Sequence, residues 1–171
     1  LEGQVKAMYI MGENPMLSDP DLTHVEEGLR SLDFLLIQDI FLNETARLAH
    51  VVLPAAAWLE KDGTFTNTER RIQLLHPVLP APGVAKPDWQ ITAAIGKKLD
   101  TKLGRDRNGY WDFASTAEIM AESAQVTPIY SGISHERLEG KGLVWPCPTS
   151  GHPGTPYLHK DKFSRGRGKF F

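Results

Sequence analysis

DFLLIQDIFLNETARLAHVVLPA, residues 33–55, sets two short apolar runs on either side of a polar linker. The runs Asp33 to Asp39 and His50 to Ala55 are too short for helices and rich in Leu, Ile and Val, which predicts two strands. Between them Asn43 is placed to cap a short helical turn through Ala46 and Leu48. Upstream, VKAMYIMG, Val5 to Gly12, is a third run of the same kind and opens into the glycine-initiated loop GENPMLSDPD. Ser18, Asp19 and Pro20 then start a helix in which Leu22, Val25, Leu29 and Leu32 recur at helical spacing. Strand, helix, strand, short helix, strand predicts a three-layer α/β fold with a mainly parallel sheet, because crossover connections bring successive strands back in the same direction.

Downstream the pattern changes. WLEKDGTFTNTERRIQ, Trp58 to Gln73, alternates as a strand from Thr64 to Thr68 after a KDG turn at Lys61 to Gly63. It carries Glu60, Lys61, Asp62, Glu69, Arg70 and Arg71, more charge than a surface hairpin requires. HPVLPAPGVAKP must be irregular, since each proline fixes its own φ and lacks a donor. Helices are predicted from about Asp88 to Leu99, around Phe113 to Ser123, and around His135 to Glu139. From residue 141 onward prolines and glycines crowd the chain, which reads as an extended connector. The predicted organisation is one domain over 1–140 and a linker over 141–171.

A chain of 171 residues with 41% hydrophobic and 23% charged residues fits one folded domain with a core. Apolar runs such as Phe34 to Ile37 are far too short to span a membrane, and a net charge of −2 argues against a general nucleic-acid surface. Lys160, Lys162, Arg165, Arg167 and Lys169 concentrate positive charge near the C-terminus, where a solvated linker is the expected reading. A single cysteine, Cys147, allows neither an internal disulfide nor a thiolate cluster, consistent with a reducing, cytoplasmic setting. It lies between two prolines with no base beside it and reads as a packed, inert thiol. The histidines form no metal-binding pattern; His50 and His76 bound strands and read as structural. The chain opens without methionine and closes on a basic glycine-rich run, so both ends read as cut edges of something longer.

Ligands of open α/β sheets bind beyond the carboxyl ends of the strands. Here those ends lead to Gly12, Glu13 and Asn14, to Gln38 and Asp39, and to Glu60 and Lys61. Such side chains suit a polar, partly anionic ligand: carboxylates accept from ribose or guanine, amides both donate and accept, and lysine offsets phosphate charge. Each also has an ordinary structural role, as a cap or a solvated turn residue. No GxGxxG or GxxxxGK loop occurs, so neither a nicotinamide nor a P-loop site has its phosphate-binding turn.

Taken together, GENPMLSDPD, LIQDIFLNETARLAHVVLPAAAWLEKDGTFTNTERRIQ, PGVAKPDWQI, GLVWPCP and HPGTPYLHKDKF resemble part of the large subunit of molybdopterin-guanine-dinucleotide oxidoreductases. The branch most similar is that of NAD-linked formate dehydrogenase alpha subunits. The resemblance implies a Rossmann-like domain contacting one of two pterin guanine dinucleotides that carry molybdenum or tungsten. It also implies cofactor contacts at Gly12, Glu13, Asn14, Gln38, Asp39, Lys61 and Asp88, with one face of the charged turn toward the cofactor. Glu69, Arg70 and Arg71 are left to pair with each other or with neighbouring segments.

By the same resemblance, the iron–sulfur cysteines and the metal-ligating cysteine or selenocysteine lie upstream, and a domain that closes over the cofactors follows Phe171. No catalytic or metal-ligating residue is expected in this piece, which should not turn over formate alone. Electron-transfer subunits are the implied partners. Two alternatives stand beside formate oxidation: a cofactor-free structural domain like the large subunit of respiratory NADH:quinone oxidoreductase, and a nitrate reductase. The first tends to read TEGR where this chain has TERR at Thr68 to Arg71, and the second usually lacks the GENP and QDIFLNET strings.

Overall fold

A computed structural model describes residues 3–105, 107, 109–160, 163 and 166–168. The chain divides into two compact units, one formed by residues 1–61 and 77–112 and the other by 62–76 and 113–171.

The first unit is built on the predicted parallel sheet. Strands β1 (Ala7–Met11), β2 (Phe34–Asp39) and β3 (Val51–Pro54) lie in the order β1-β2-β3, with Tyr9 opposite Leu36 and Gln38 opposite Leu53. The loop expected over GENPMLSDPD carries one helical turn, α1 (Pro15–Ser18). Pro15 fits the first helical position because its missing N–H would have no partner there, and Asn14 O receives the N–H groups of Leu17 and Ser18. Helix α2 (Leu22–Arg30) is capped by Asp21, whose side chain accepts from His24 N.

Side chains alternate faces along a strand. Leu35 and Ile37 therefore point to one face, where they are wholly buried with Leu29, Leu32 and Ala46. Complete burial of each such side chain contributes about 1.5–3 kcal/mol. Gln38 points to the opposite face and meets the start of α3 (Asp88–Lys102), which gives the layers expected. A 3₁₀ turn at Ala46–Leu48 forms the second crossover, and Asn43 Oδ1 accepts from Ala46 N at 2.8 Å, the cap expected from sequence. His50 is structural, its Nδ1 accepting from Leu35 N at 2.9 Å. At the far end of α3, Trp111 lies where a Cβ on Gly96 would be, at 2.5 Å, and its indole N–H donates to the buried Asp100 at 2.7 Å. That close approach explains a glycine inside a helix.

The second unit centres on an antiparallel sheet of β4 (Gly63–Thr66), β5 (Arg71–Leu75) and β6 (Leu143–Val144). Its core joins Ile72 to Met120 of α4 (Thr116–Val126), Leu138 of α5 (His135–Leu138), Ile133 and Cys147. The connector expected from residue 141 needs correction here: β6 pairs with β5, and Cys147 is completely buried. Three arginines hold it. Arg70, at φ +66°, donates to the carbonyls of Trp145, Thr155 and Pro156, and Arg71 donates to that of Lys141. Arg137 donates to the carbonyls of Gly132, Thr149 and His152. In the basic tail Lys160 and Arg167 are exposed, while Asp161, Lys162, Arg165 and Lys169 lie outside the described residues.

In this unit burial holds the His135 imidazole below its ordinary range, and His76 adds to the effect against the opposing pull of Asp62 and Glu139. Its Nε2 is enclosed without a hydrogen-bond partner among the described residues. A lowered folded-state value means that the unfolded chain binds the proton more readily. The stabilisation is present above the unfolded value of about 6.5 and is lost as pH falls toward the folded one. The thermal midpoint should therefore drop on acidification from pH 7 to 5, and His135→Gln should flatten part of that slope. An unchanged slope in the variant would remove His135 as its source.

Candidate functional site

The carboxyl edge of the parallel sheet gathers three of the seven site residues read from the sequence into one network. Gln38, at the end of β2, is fully buried, and its Nε2 donates to Asp88 Oδ1 at 2.7 Å. The other oxygen of Asp88 receives Lys61, and both of those side chains remain partly exposed. Local chain geometry makes this possible. Lys86 bridges Ala55 in parallel just past β3, and Ala56 N donates to Lys86 O at 2.9 Å, so the proline-rich segment returns along the sheet and delivers Asp88 to its edge. Lys61 arrives from the other direction, directly after the 3₁₀ turn Trp58–Glu60, whose Glu60 carboxylate accepts from Ala57 N at 2.8 Å.

The remaining residues sit on the same edge with other partners. Gly12 follows β1 at φ +63°, a conformation glycine adopts without strain; its N–H donates to Gln38 O, and nothing lies within 4 Å of the place a Cβ would take. Glu13 is exposed. Asn14 ties the first loop to the second crossover: its amide donates to Glu44 at 2.8 Å, and its oxygen accepts from the Thr45 hydroxyl at 2.7 Å. The hydrogen bond from Asn14 is the main reason that the Glu44 carboxyl lies below its usual range. Asp39 braces the loop after β2, accepting from Phe41 N at 3.0 Å and from the Asn43 amide at 3.1 Å.

Sequence reasoning missed Tyr9, whose hydroxyl donates to Gln38 Oε1, and Thr45, which is wholly buried and links Asn14 to Met16 N. Period-two alternation puts Tyr9 and Gln38 on one face, but only the register brings them together.

As a donor set, this edge fits a nucleotide-like group. It presents a glycine loop with open space, an ammonium and a carboxylate. No cluster of His, Cys, Asp or Glu suited to a metal ion occurs among the described residues, and none of their helices is long and apolar enough to cross a membrane.

The molybdopterin oxidoreductase family profile matches residues 1–98. Among curated proteins, the chain is 55% identical over 169 residues to the F420-dependent formate dehydrogenase 2 subunit alpha of Methanococcus maripaludis, covering 98% of this chain and 24% of that one. It is 54% identical to the F420-dependent formate dehydrogenase subunit alpha of Methanocaldococcus jannaschii, with the same coverage of 98% and 24%. The chain thus spans about a quarter of the length of these relatives. Among solved structures, acetylene hydratase from Pelobacter acetylenicus superposes with a TM-score of 0.57 at 20% identity, over 90% of this chain and 24% of the other. At that identity the likeness speaks to the fold.

Proposed function

The chain belongs to the molybdopterin oxidoreductase family, and from that premise we propose that its parallel-sheet unit holds a molybdopterin guanine dinucleotide within the alpha subunit of a formate dehydrogenase. One observation carries this reading: Gln38, Lys61 and Asp88, distant in sequence, converge at the sheet edge where α/β proteins bind nucleotides. Lys61 supplies positive charge toward a pyrophosphate, and Asp88 accepts from the guanine or ribose. Gly12 leaves room for the ligand to approach the backbone, while Asp39 and Asn14 brace the loops on either side. The pterin and its molybdenum or tungsten supply the two-electron chemistry of formate oxidation. The part of these residues is binding and orientation, and the metal ligand and iron–sulfur centres belong to the rest of the subunit. Relatives named for F420 dependence at 54–55% identity support F420 as the electron acceptor ahead of the NAD expected from the sequence resemblance. A partner subunit would pass the electrons on.

A second reading, a cofactor-free structural domain, draws on the mutual neutralisation of Lys61 and Asp88, which a purely architectural ion pair also shows. Lys61→Ala and Asp88→Asn in the full-length subunit separate the two. Each lost charge-assisted contact costs about 1.5–3 kcal/mol, roughly a tenfold to hundredfold loss of affinity. Pterin and metal per protein should fall in both variants while circular dichroism is unchanged. Normal loading in both would favour the architectural reading.

A further inference from the structure

Tyr9 lies two residues before the carboxyl end of β1 and pairs in register with Leu36. Alternation along the strands places Tyr9, Leu36 and Gln38 on one face, with Gln38 one pleat nearer the edge. The tyrosine hydroxyl donates to Gln38 Oε1, the amide Nε2 donates to Asp88 Oδ1 at 2.7 Å, and Asp88 Oδ2 receives Lys61. Gln38 is 0% exposed at the centre of this chain of contacts, Tyr9 at one end is 41% exposed, and the Lys61 and Asp88 side chains at the other are 22% and 30% exposed. The buried amide in the middle is thus held by protein groups on both sides, and the Lys61–Asp88 end is open to a ligand.

A glutamine amide has one oxygen and one NH₂, and it can turn over. Turned over, Gln38 would set its oxygen against the Asp88 carboxylate, acceptor against acceptor. The observed orientation gives every polar atom of the relay a complementary partner, and the Tyr9 hydroxyl satisfies the one acceptor that burial cuts off from water. Resting on the reading that this edge holds the dinucleotide, we infer that Tyr9 is a positioning residue for that site. Its hydroxyl acts through Gln38 to hold Asp88, and with it Lys61, in the geometry that receives the ligand.

Four variants of the full-length subunit test this, with pterin dinucleotide retained per protein as the readout and near-ultraviolet circular dichroism as the fold control. Tyr9→Phe keeps the ring and removes only the donor, and retention should fall about three- to tenfold. Gln38→Glu places a titratable carboxyl between Tyr9, Asp88 and Lys61. Protonated, that carboxyl donates to Asp88 as the amide did; ionised, it repels Asp88, so retention should fall as pH rises. Donation from Tyr9 favours the ionised form, and the combined variant Gln38→Glu with Tyr9→Phe should move the midpoint of that fall upward by about half a pH unit or more. A tyrosine that merely fills space would leave the midpoint where it was. Full retention by Tyr9→Phe, or an unmoved midpoint, overturns the inference while loss of dinucleotide in Asp88→Asn keeps the binding site itself. Full retention by Asp88→Asn as well overturns both.

Discussion

Replacing Gly132 by alanine should destabilise the chain by at least about 3 kcal/mol, the upper part of the range for overpacking. A Cβ at this position would lie 2.0 Å from Thr149 O and 2.8 Å from Cys147 O. Both are backbone atoms, so no flexible side chain can move aside. Relief requires separating the segments, but Gly132 N donates to Cys147 O at 2.7 Å and Gly132 O receives Arg137. Moving either strand of this crossing breaks bonds that the buried Cys147 and Ile133 depend on for their packing. For a chain of this length the change corresponds to a fall in thermal midpoint of roughly 6–12 °C. Differential scanning calorimetry of Gly132→Ala beside Gly151→Ala is the measurement, because a Cβ at Gly151 meets nothing within 4 Å. Equal midpoints for the two would show that the crossing is loose.

The contrast between those two glycines shows how legibility divides in this chain. The strands of the first unit could be read because their cause is local: runs such as FLLI have the length and branching of a buried strand, and Leu22, Val25 and Leu29 mark the helix between them. The loops at the sheet edge could be placed because the carboxyl ends of parallel strands lie side by side, and Lys61, Asp88 and Gln38 do meet there. The connector could not. Its prolines and glycines signal little regular structure, which holds outside the short strand β6, and say nothing of packing, which here comes in part from the Arg70 guanidinium, 75 and 85 residues away in sequence from the carbonyls it reaches. Tyr9 was invisible for a related reason. Its partner is set by strand register, and no feature of AMYIM distinguishes a brace from an ordinary core aromatic. Asp39 has a local part that its residue type did not reveal: its two oxygens accept from Phe41 N and the Asn43 amide in the neighbouring loop.

Arg137→Ala should cost about 3 kcal/mol and expose the only thiol of the chain. The guanidinium donates to three carbonyls, those of Gly132, Thr149 and His152, the last at 2.7 Å, and Nη1 lies 3.4 Å from Cys147 Sγ. Hydrogen bonds to a charged group contribute about 1.5–3 kcal/mol each in mutational series and are not additive, so a single clasp of this kind falls near the upper figure. Lysine cannot replace it, because one ammonium on a flexible stem lacks the planar fork that reaches carbonyls on several sides at once. Arg137→Lys should therefore recover less than half of the loss. Cys147 reports the outcome directly: it is 0% exposed and reacts only when residues 145–152 open. A loss of about 3 kcal/mol from the closed state raises the open population, and with it the rate of thiol labelling under native conditions, by roughly a hundredfold. If Arg137→Ala labels at the parental rate while the chain remains folded, the segment around Cys147 is held by its apolar contacts and not by the arginine.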